Sequence, residues 1–209
     1  MFFERFPRLL RKPILRLFDL KKKRDMEMLY KRDKDAWGRS GYLDQASSAV
    51  KLVSDKRYRR CLDVGTGLGI FAEHAAKMCD EVVAVDISDE AVRRAQERIG
   101  GLKNIKFVAG NVRTMEFESG FDLIIFGEVL FYFGDKFLPD EFFQTLKRFT
   151  DLLERGGRIL ITHNVRPWRD RAWFYEKYIN ALKRLGMTLE LEDEFKKDKR
   201  IWLHAVLKK

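Results

Sequence analysis

Asp63 stands two residues before Gly65-Thr66-Gly67-Leu68-Gly69, and Asp86 stands 21 residues after Gly65. Glycines at alternate positions let a chain turn sharply and bring its backbone N–H groups against a ligand, with no Cβ in the way. A carboxylate at Asp86 is an acceptor-only group, suited to the two vicinal hydroxyls of a ribose. The chemistry expected is therefore nucleoside binding, with Gly65, Thr66, Gly67, Gly69, Asp86 and its neighbour Ile87 forming the site. Further along, Glu128 follows the apolar run Phe121 to Phe126, and His163 closes a second such run. Both are proton-carrying groups at strand ends.

Charge narrows the nucleoside. A dinucleotide-binding turn reads G-x-G-x-x-G and aims its helix at a pyrophosphate. Here the glycines read G-x-G-x-G and are followed by Ile70. Asp63, just before them, would repel a pyrophosphate and suits a cationic ligand bearing an amine. S-adenosylmethionine, with its sulfonium and ammonium, has that charge.

The elements that must hold these residues follow from the apolar pattern. Leu62, Val64 and the run Val82 to Val85 predict buried parallel strands on either side of a helix over 70–79. Ser88 caps a helix to Ile99, with Asp89 and Glu90 in its first turn. Strands are expected at 104–109, 121–126 and 158–163, and helices at 139–153 and 169–185, the first ended by Glu154-Arg155-Gly156-Gly157. Residues 188–195 and 201–207 read as a hairpin around the charged turn 196–200. The fold class is α/β: a Rossmann-like, doubly wound sheet in a three-layer αβα arrangement, closed by a C-terminal antiparallel hairpin.

Asp63 with its glycine turn resembles motif I of the class I S-adenosylmethionine-dependent methyltransferases. The resemblance covers about residues 59–165 and implies a seven-stranded sheet. It implies Asp86 as the ribose acid, and Asn111 and Val112, within Gly110-Asn111-Val112, beside the adenine. That family usually has Asp where this chain has Asn111; the amide oxygen is expected to accept from the adenine amine instead. The run Glu128-Val129-Leu130-Phe131-Tyr132 is most similar to the nodulation-protein-S-like methyltransferases, which methylate an amine on an oligosaccharide.

The resemblance implies an enzyme using S-adenosylmethionine and releasing S-adenosylhomocysteine. Methyl transfer from a sulfonium is an in-line displacement, in which the protein mainly aligns nucleophile, methyl carbon and sulfur. Glu128 and His163 are the candidate bases, Glu128 being also a cofactor contact; Tyr132, Asp135, Asn164, Arg166 and Trp168 lie beside them. In Asp35-Ala36-Trp37-Gly38-Arg39-Ser40-Gly41-Tyr42, similar enzymes close over the methionine end; Trp37 is expected on the sulfonium and Arg39 on the carboxylate. Strand four runs into Gly127-Glu128-Val129-Leu130 rather than the N-P-P-[YFW] of enzymes that methylate nucleic-acid amines, which points away from a nucleic-acid acceptor. The acceptor expected is a small molecule or saccharide-like amine or hydroxyl. No metal site is read from two cysteines and three histidines.

The chain of 209 residues carries a net charge of +10, of which residues 1–34 hold +7. This divides it into a basic amphipathic arm, 1–34, and a nearly neutral methyltransferase domain, 35–209. Pro7 and Pro13 are expected to break the arm into short pieces. Three roles are open for it: a cap over the active site, peripheral contact of residues 1–20 with an anionic membrane, or contact with a polyanion such as RNA. The last two leave alternatives to the small acceptor: an RNA or protein methyltransferase, or a catalytically silent membrane-associated cofactor-binding domain. Cys61 and Cys79 suit reduced, buried thiols, and no run of about 18 apolar residues is present. The expected location is cytoplasmic, with the membrane periphery open through the arm.

Overall fold

Leu62, Val64, Val82, Ala84, Val85, Ile124 and Ile125 are fully buried, as strands covered on both faces require. The computed structural model describes residues 8–33, 39–133, 139–166 and 170–209, and for 8–12, 14 and 39–41 the backbone alone. In chain order the elements are α1 (Arg8–Arg32), α2 (Arg39–Lys51), β1 (Tyr58–Val64), α3 (Ile70–Ala75), β2 (Cys79–Asp86), α4 (Asp89–Ile99), β3 (Ile105–Ala109) and β4 (Phe121–Gly127). A 3₁₀ turn (Leu130–Phe133) leads to α5 (Pro139–Leu152) and β5 (Leu153–Asn164). Then come α6 (Arg171–Phe174), a π turn (Tyr175–Ile179), α7 (Asn180–Arg184), β6 (Thr188–Lys197) and β7 (Arg200–Lys208).

The seven strands lie in the order β3-β2-β1-β4-β5-β7-β6. β1 to β5 are parallel, and β7 runs antiparallel between β5 and β6. This is the doubly wound sheet with a terminal hairpin that the sequence predicts. Phe142, Leu146 and Phe149 of α5 pack with Phe174, Tyr178 and Leu182 on one face. Ala46, Ala49, Val50, Phe71 and Ala75 from α2 and α3 pack on the other. The strand order reverses between β1 and β4, and open α/β sheets form their binding crevice at such a switch point.

Four local expectations differ from what is observed. α3 ends at Ala75, not at residue 79, because Cys79 pairs with Tyr58 in the parallel ladder. β5 begins at Leu153, because Leu153 pairs with Phe121 and a bulge takes up the glycines that were expected to end the helix. The helix expected over 169–185 is described from Arg171 and contains the π turn. Pro13 does not break the arm: it sits inside α1, which runs on to Arg32. A proline within a helix costs about 3 kcal/mol, and α1 recovers it downstream, where Met26, Leu29 and Tyr30 pack on Leu68 and Ala91.

Gly69 proves to be a packing residue rather than part of the crevice wall. Its φ is +76°, and a Cβ there would lie 2.6 Å from Ile99 Cδ1 and 3.2 Å from Ala95 Cβ. The third glycine thus lets α3 start against α4. Gly69→Ala is expected to destabilise the fold by about 2 kcal/mol or more, from left-handed strain and overpacking combined. Urea denaturation monitored by circular dichroism measures it.

Candidate active site

A crevice of about 570 Å³ opens at the carboxyl ends of β1, β2, β4 and β5. That volume is ordinary for a site that binds a nucleoside-sized ligand. Its floor is the turn after β1. Gly65 N–H and Thr66 N–H both donate to Val85 O, at 2.8 and 2.9 Å, and staple the turn to β2. Gly65 has φ +72°, and a Cβ there would strike Val129 at 2.4 Å.

Asp86 accepts from Gly67 N–H and from Ser88 N–H, each at 2.9 Å. It is 6% exposed and lines the crevice, with carboxylate lone pairs left for a ligand. Burial lifts its pKa to about 6, against the pull of those N–H donors. Ser88 also caps α4, accepting from Ala91 N–H at 3.1 Å. Gly65, Thr66, Gly67, Ile87, Asn111, Val112 and Glu128 line the same space.

Asp63 does not. It lies beneath the turn, 1% exposed, and accepts from Thr66 Oγ1 at 2.6 Å. Its pKa is pushed to about 7 by burial, opposed by Thr66 and by the Ala72 N–H. The expected direct contact with a cationic ligand is replaced by a support role, because residue 63 is the last but one of β1, whose second half is buried.

Asn111 is oriented otherwise than expected. Its side-chain oxygen accepts from Arg113 N–H at 3.0 Å, and its amide donates to Asp19 at 2.8 Å. Asp19 comes from α1 and also accepts from the Arg113 guanidinium at 2.6 Å. The carboxylate that meets Asn111 is brought in from 92 residues away. Sequence reasoning missed Asp19 because nothing local marks it; the one clue was the asparagine where an acid is usual.

α1 lies across the crevice as a cap. Asp19, Lys22, Met26 and Tyr30 line it, and Lys22 Nζ sits 5.1 Å from the centre of the Tyr132 ring. Glu27 accepts from the N–H groups at the start of α4, Lys23 pairs with Asp89 at 2.7 Å, and Arg94 donates to Tyr30 O and Asp33 O. The opposite wall carries Glu128, whose φ of +60° is costly for a residue with a side chain. Thr162 Oγ1 approaches Glu128 Oε1 at 3.4 Å. Tyr42 lines the crevice beside them and donates to Gly127 O at 3.4 Å. Burial and the Glu128 charge hold its phenol well above its ordinary pKa.

His163 is not in the crevice. Side chains alternate along a strand, so Thr162 faces Glu128 and His163 faces away. Its ring is 2% exposed, stacked at 5.6 Å on Phe174 and flanked by Trp173 and Tyr178. The proton-transfer role expected of it has no access to a ligand. Trp37, Asp135, Trp168 and the Arg39 side chain lie outside the described residues.

Residues 62–161 match the family described as a methyltransferase domain. The match covers just under half of the chain, and the sheet order and the crevice are similar to those of the class I S-adenosylmethionine-dependent methyltransferases. The chain is similar to nodulation protein S of Rhizobium tropici, 36% identical over 74 residues, which are 35% of this chain and 31% of that protein. The matched stretch spans 31% to 43% of the first three such relatives. The fold is similar to the N-methyltransferase NodS of Bradyrhizobium japonicum WM9 in complex with S-adenosyl-l-homocysteine: TM-score 0.77, 20% identity, covering 89% of this chain and 97% of that one. It is also similar to the 1,6-didemethyltoxoflavin-N1-methyltransferase of Burkholderia thailandensis: TM-score 0.70, 20% identity, covering 90% and 86%.

Two results are expected of this site. Asp63 and Asp86 bind protons more tightly folded than unfolded, since burial raises both pKa values. Their contribution to stability is therefore greatest in acid and is lost as pH rises through about 4 to 7. A ribose held by ionised Asp86 has the opposite preference. S-adenosylmethionine affinity should rise with pH through about 6, while ligand-free stability from these groups falls; titration calorimetry and thermal unfolding across pH 5–8 measure the two slopes. Separately, Asp19→Asn should weaken S-adenosylmethionine roughly tenfold, because it removes one charged hydrogen-bond acceptor from Arg113. Calorimetric titration of the variant checks this.

Proposed function

We propose that this protein transfers a methyl group from S-adenosylmethionine to an amine or hydroxyl of a small-molecule or saccharide-like acceptor. The observation that carries this is that Asp86, fixed by Gly67 and Ser88 N–H, and Glu128 open onto one crevice. S-adenosylmethionine supplies the methyl group on a sulfonium leaving group. Asp86 holds the ribose hydroxyls, with Asp19, Asn111 and Val112 on the adenine side. Buried Asp63 beneath the turn favours the cationic end. Glu128 and Tyr42 face the acceptor. When the acceptor is an amine, its nitrogen forms the bond to carbon as the carbon–sulfur bond breaks, and Glu128 takes the proton the nitrogen gives up. The NodS N-methyltransferases among the similar structures support an amine over a hydroxyl.

α1 supports a cap role for the arm over residues 8–32, since its side chains complete the crevice wall. Among the described residues no helix is long and apolar enough to cross a membrane.

S-adenosylmethionine should bind with a measurable heat of titration, and Asp86→Ala should abolish it while leaving the fold intact by circular dichroism. Radiolabelled methyl transfer into extract fractions should label the small-molecule or saccharide fraction. Unchanged binding in Asp86→Ala, or label entering RNA or protein alone, contradicts the proposal.

A further inference from the structure

Three cations at the acceptor end of the crevice are unaccounted for by the cofactor. Arg166 follows β5, and Lys199 and Arg200 sit at the β6–β7 turn; all three are exposed and line the crevice. Asn164 pairs with Trp202, and Val165 N–H donates to Ile201 O at 2.8 Å. Continuing that register places Arg166 opposite Arg200. Like charges directly opposite on paired strands repel, so this arrangement is unfavourable unless an anion sits between them.

Their neighbours do not neutralise them. Among the described residues, Arg166, Lys199 and Arg200 enter no ion pair. The nearby acids are spent on other bases: Glu194 on Lys196 and Arg171, and Asp44 on Lys197. Asp198 shares the turn with Lys199. The turn itself joins Lys197 to Arg200 through Asp198 (φ +49°) and Lys199 (φ +62°). A two-residue turn with both φ values positive favours glycine at its second position. Lysine there is strained by its Cβ, which points to a use for its ammonium. Buried Trp202 forms an apolar floor, and Glu128 is the anion lining the acceptor end of the crevice.

We propose that the acceptor is an amine that also carries a phosphomonoester, with Arg166, Lys199 and Arg200 holding the phosphate and Glu128 facing the amine. This rests on the methyl-transfer reading of the crevice and names its substrate class. Three cations match a group bearing close to two negative charges better than they match a carboxylate, and guanidinium forks bind phosphate oxygens in pairs.

The test uses the full chain loaded with S-adenosylhomocysteine. Calorimetric titrations compare glucosamine 6-phosphate with glucosamine, and phosphoethanolamine with ethanolamine; inorganic phosphate probes the anion site alone, and β-alanine supplies a carboxylate. The phosphorylated amine should bind at least about 30-fold more tightly than its neutral partner in one pair. Arg166→Gln/Arg200→Gln should weaken it and inorganic phosphate by about tenfold or more, with S-adenosylmethionine affinity and melting temperature unchanged. Equal binding of neutral and phosphorylated amines, no response to the double substitution, or β-alanine binding as well as phosphoethanolamine overturns the phosphate site and leaves methyl transfer standing. Vesicles of phosphatidylethanolamine form the lipid arm: binding to them, and to neither soluble phosphoamine, overturns a soluble phosphomonoester. Absence of S-adenosylmethionine binding overturns methyl transfer, and the acceptor assignment with it.

Discussion

The carboxylate of Asp86 accepts from Gly67 on one side and Ser88 on the other, and the whole switch point is registered to that pair of hydrogen bonds. One bond fixes the turn after β1; the other fixes the start of α4, whose own cap is Ser88. The end of β2 thereby sets the spacing of the two backbone segments a nucleoside must fit between. The carboxylate is kept in poor solvent to do this, which is why its pKa is lifted to about 6. Asp63, one strand away and deeper, is lifted further, to about 7. Two buried acids near neutrality form a floor whose charge depends on what lies above it.

The crevice is completed from outside the sheet. α1 contributes the Asp19 carboxylate to Arg113 and Asn111, and it is locked to α4 through Glu27, Lys23 and Arg94. The buried Arg113 guanidinium, 7% exposed, depends on Asp19 for its charge partner. Cap and cofactor wall are therefore one structure, joined where Asp19 meets Arg113 by a charge-assisted hydrogen bond in a partly desolvated place.

The sheet was legible in the sequence because parallel strands buried on both faces must be apolar throughout, and Val82 to Val85 and Leu123 to Phe126 have no other use. The turn was legible because Gly65 and Gly69 meet close neighbours at positive φ. What was lost was direction. His163 stood at the correct strand end, yet the two-residue alternation of a strand turns it under α6, among Trp173, Phe174 and Tyr178. Asp63 was placed one layer too high for the same reason: position along a strand does not reveal depth. Asp19 depends on a tertiary contact over 92 residues, for which a local pattern carries no mark, whereas Tyr42 lies in the aromatic segment that the sequence singles out. Pro13 misled because propensity is local, while the packing of Met26, Leu29 and Tyr30 that carries α1 past it is not.

The long span between Asp19 and its partners also bears on synthesis. α1 precedes its docking partners, and those on α4 and at Asn111 and Arg113 leave the ribosome some 60 to 94 residues after it. Until then the helix has no surface to cover. The last wall of the crevice is made from a segment that precedes the sheet in the chain. Closure of the site therefore marks the end of a long-range search rather than a local event, with the entropy of a loop of that length set against it.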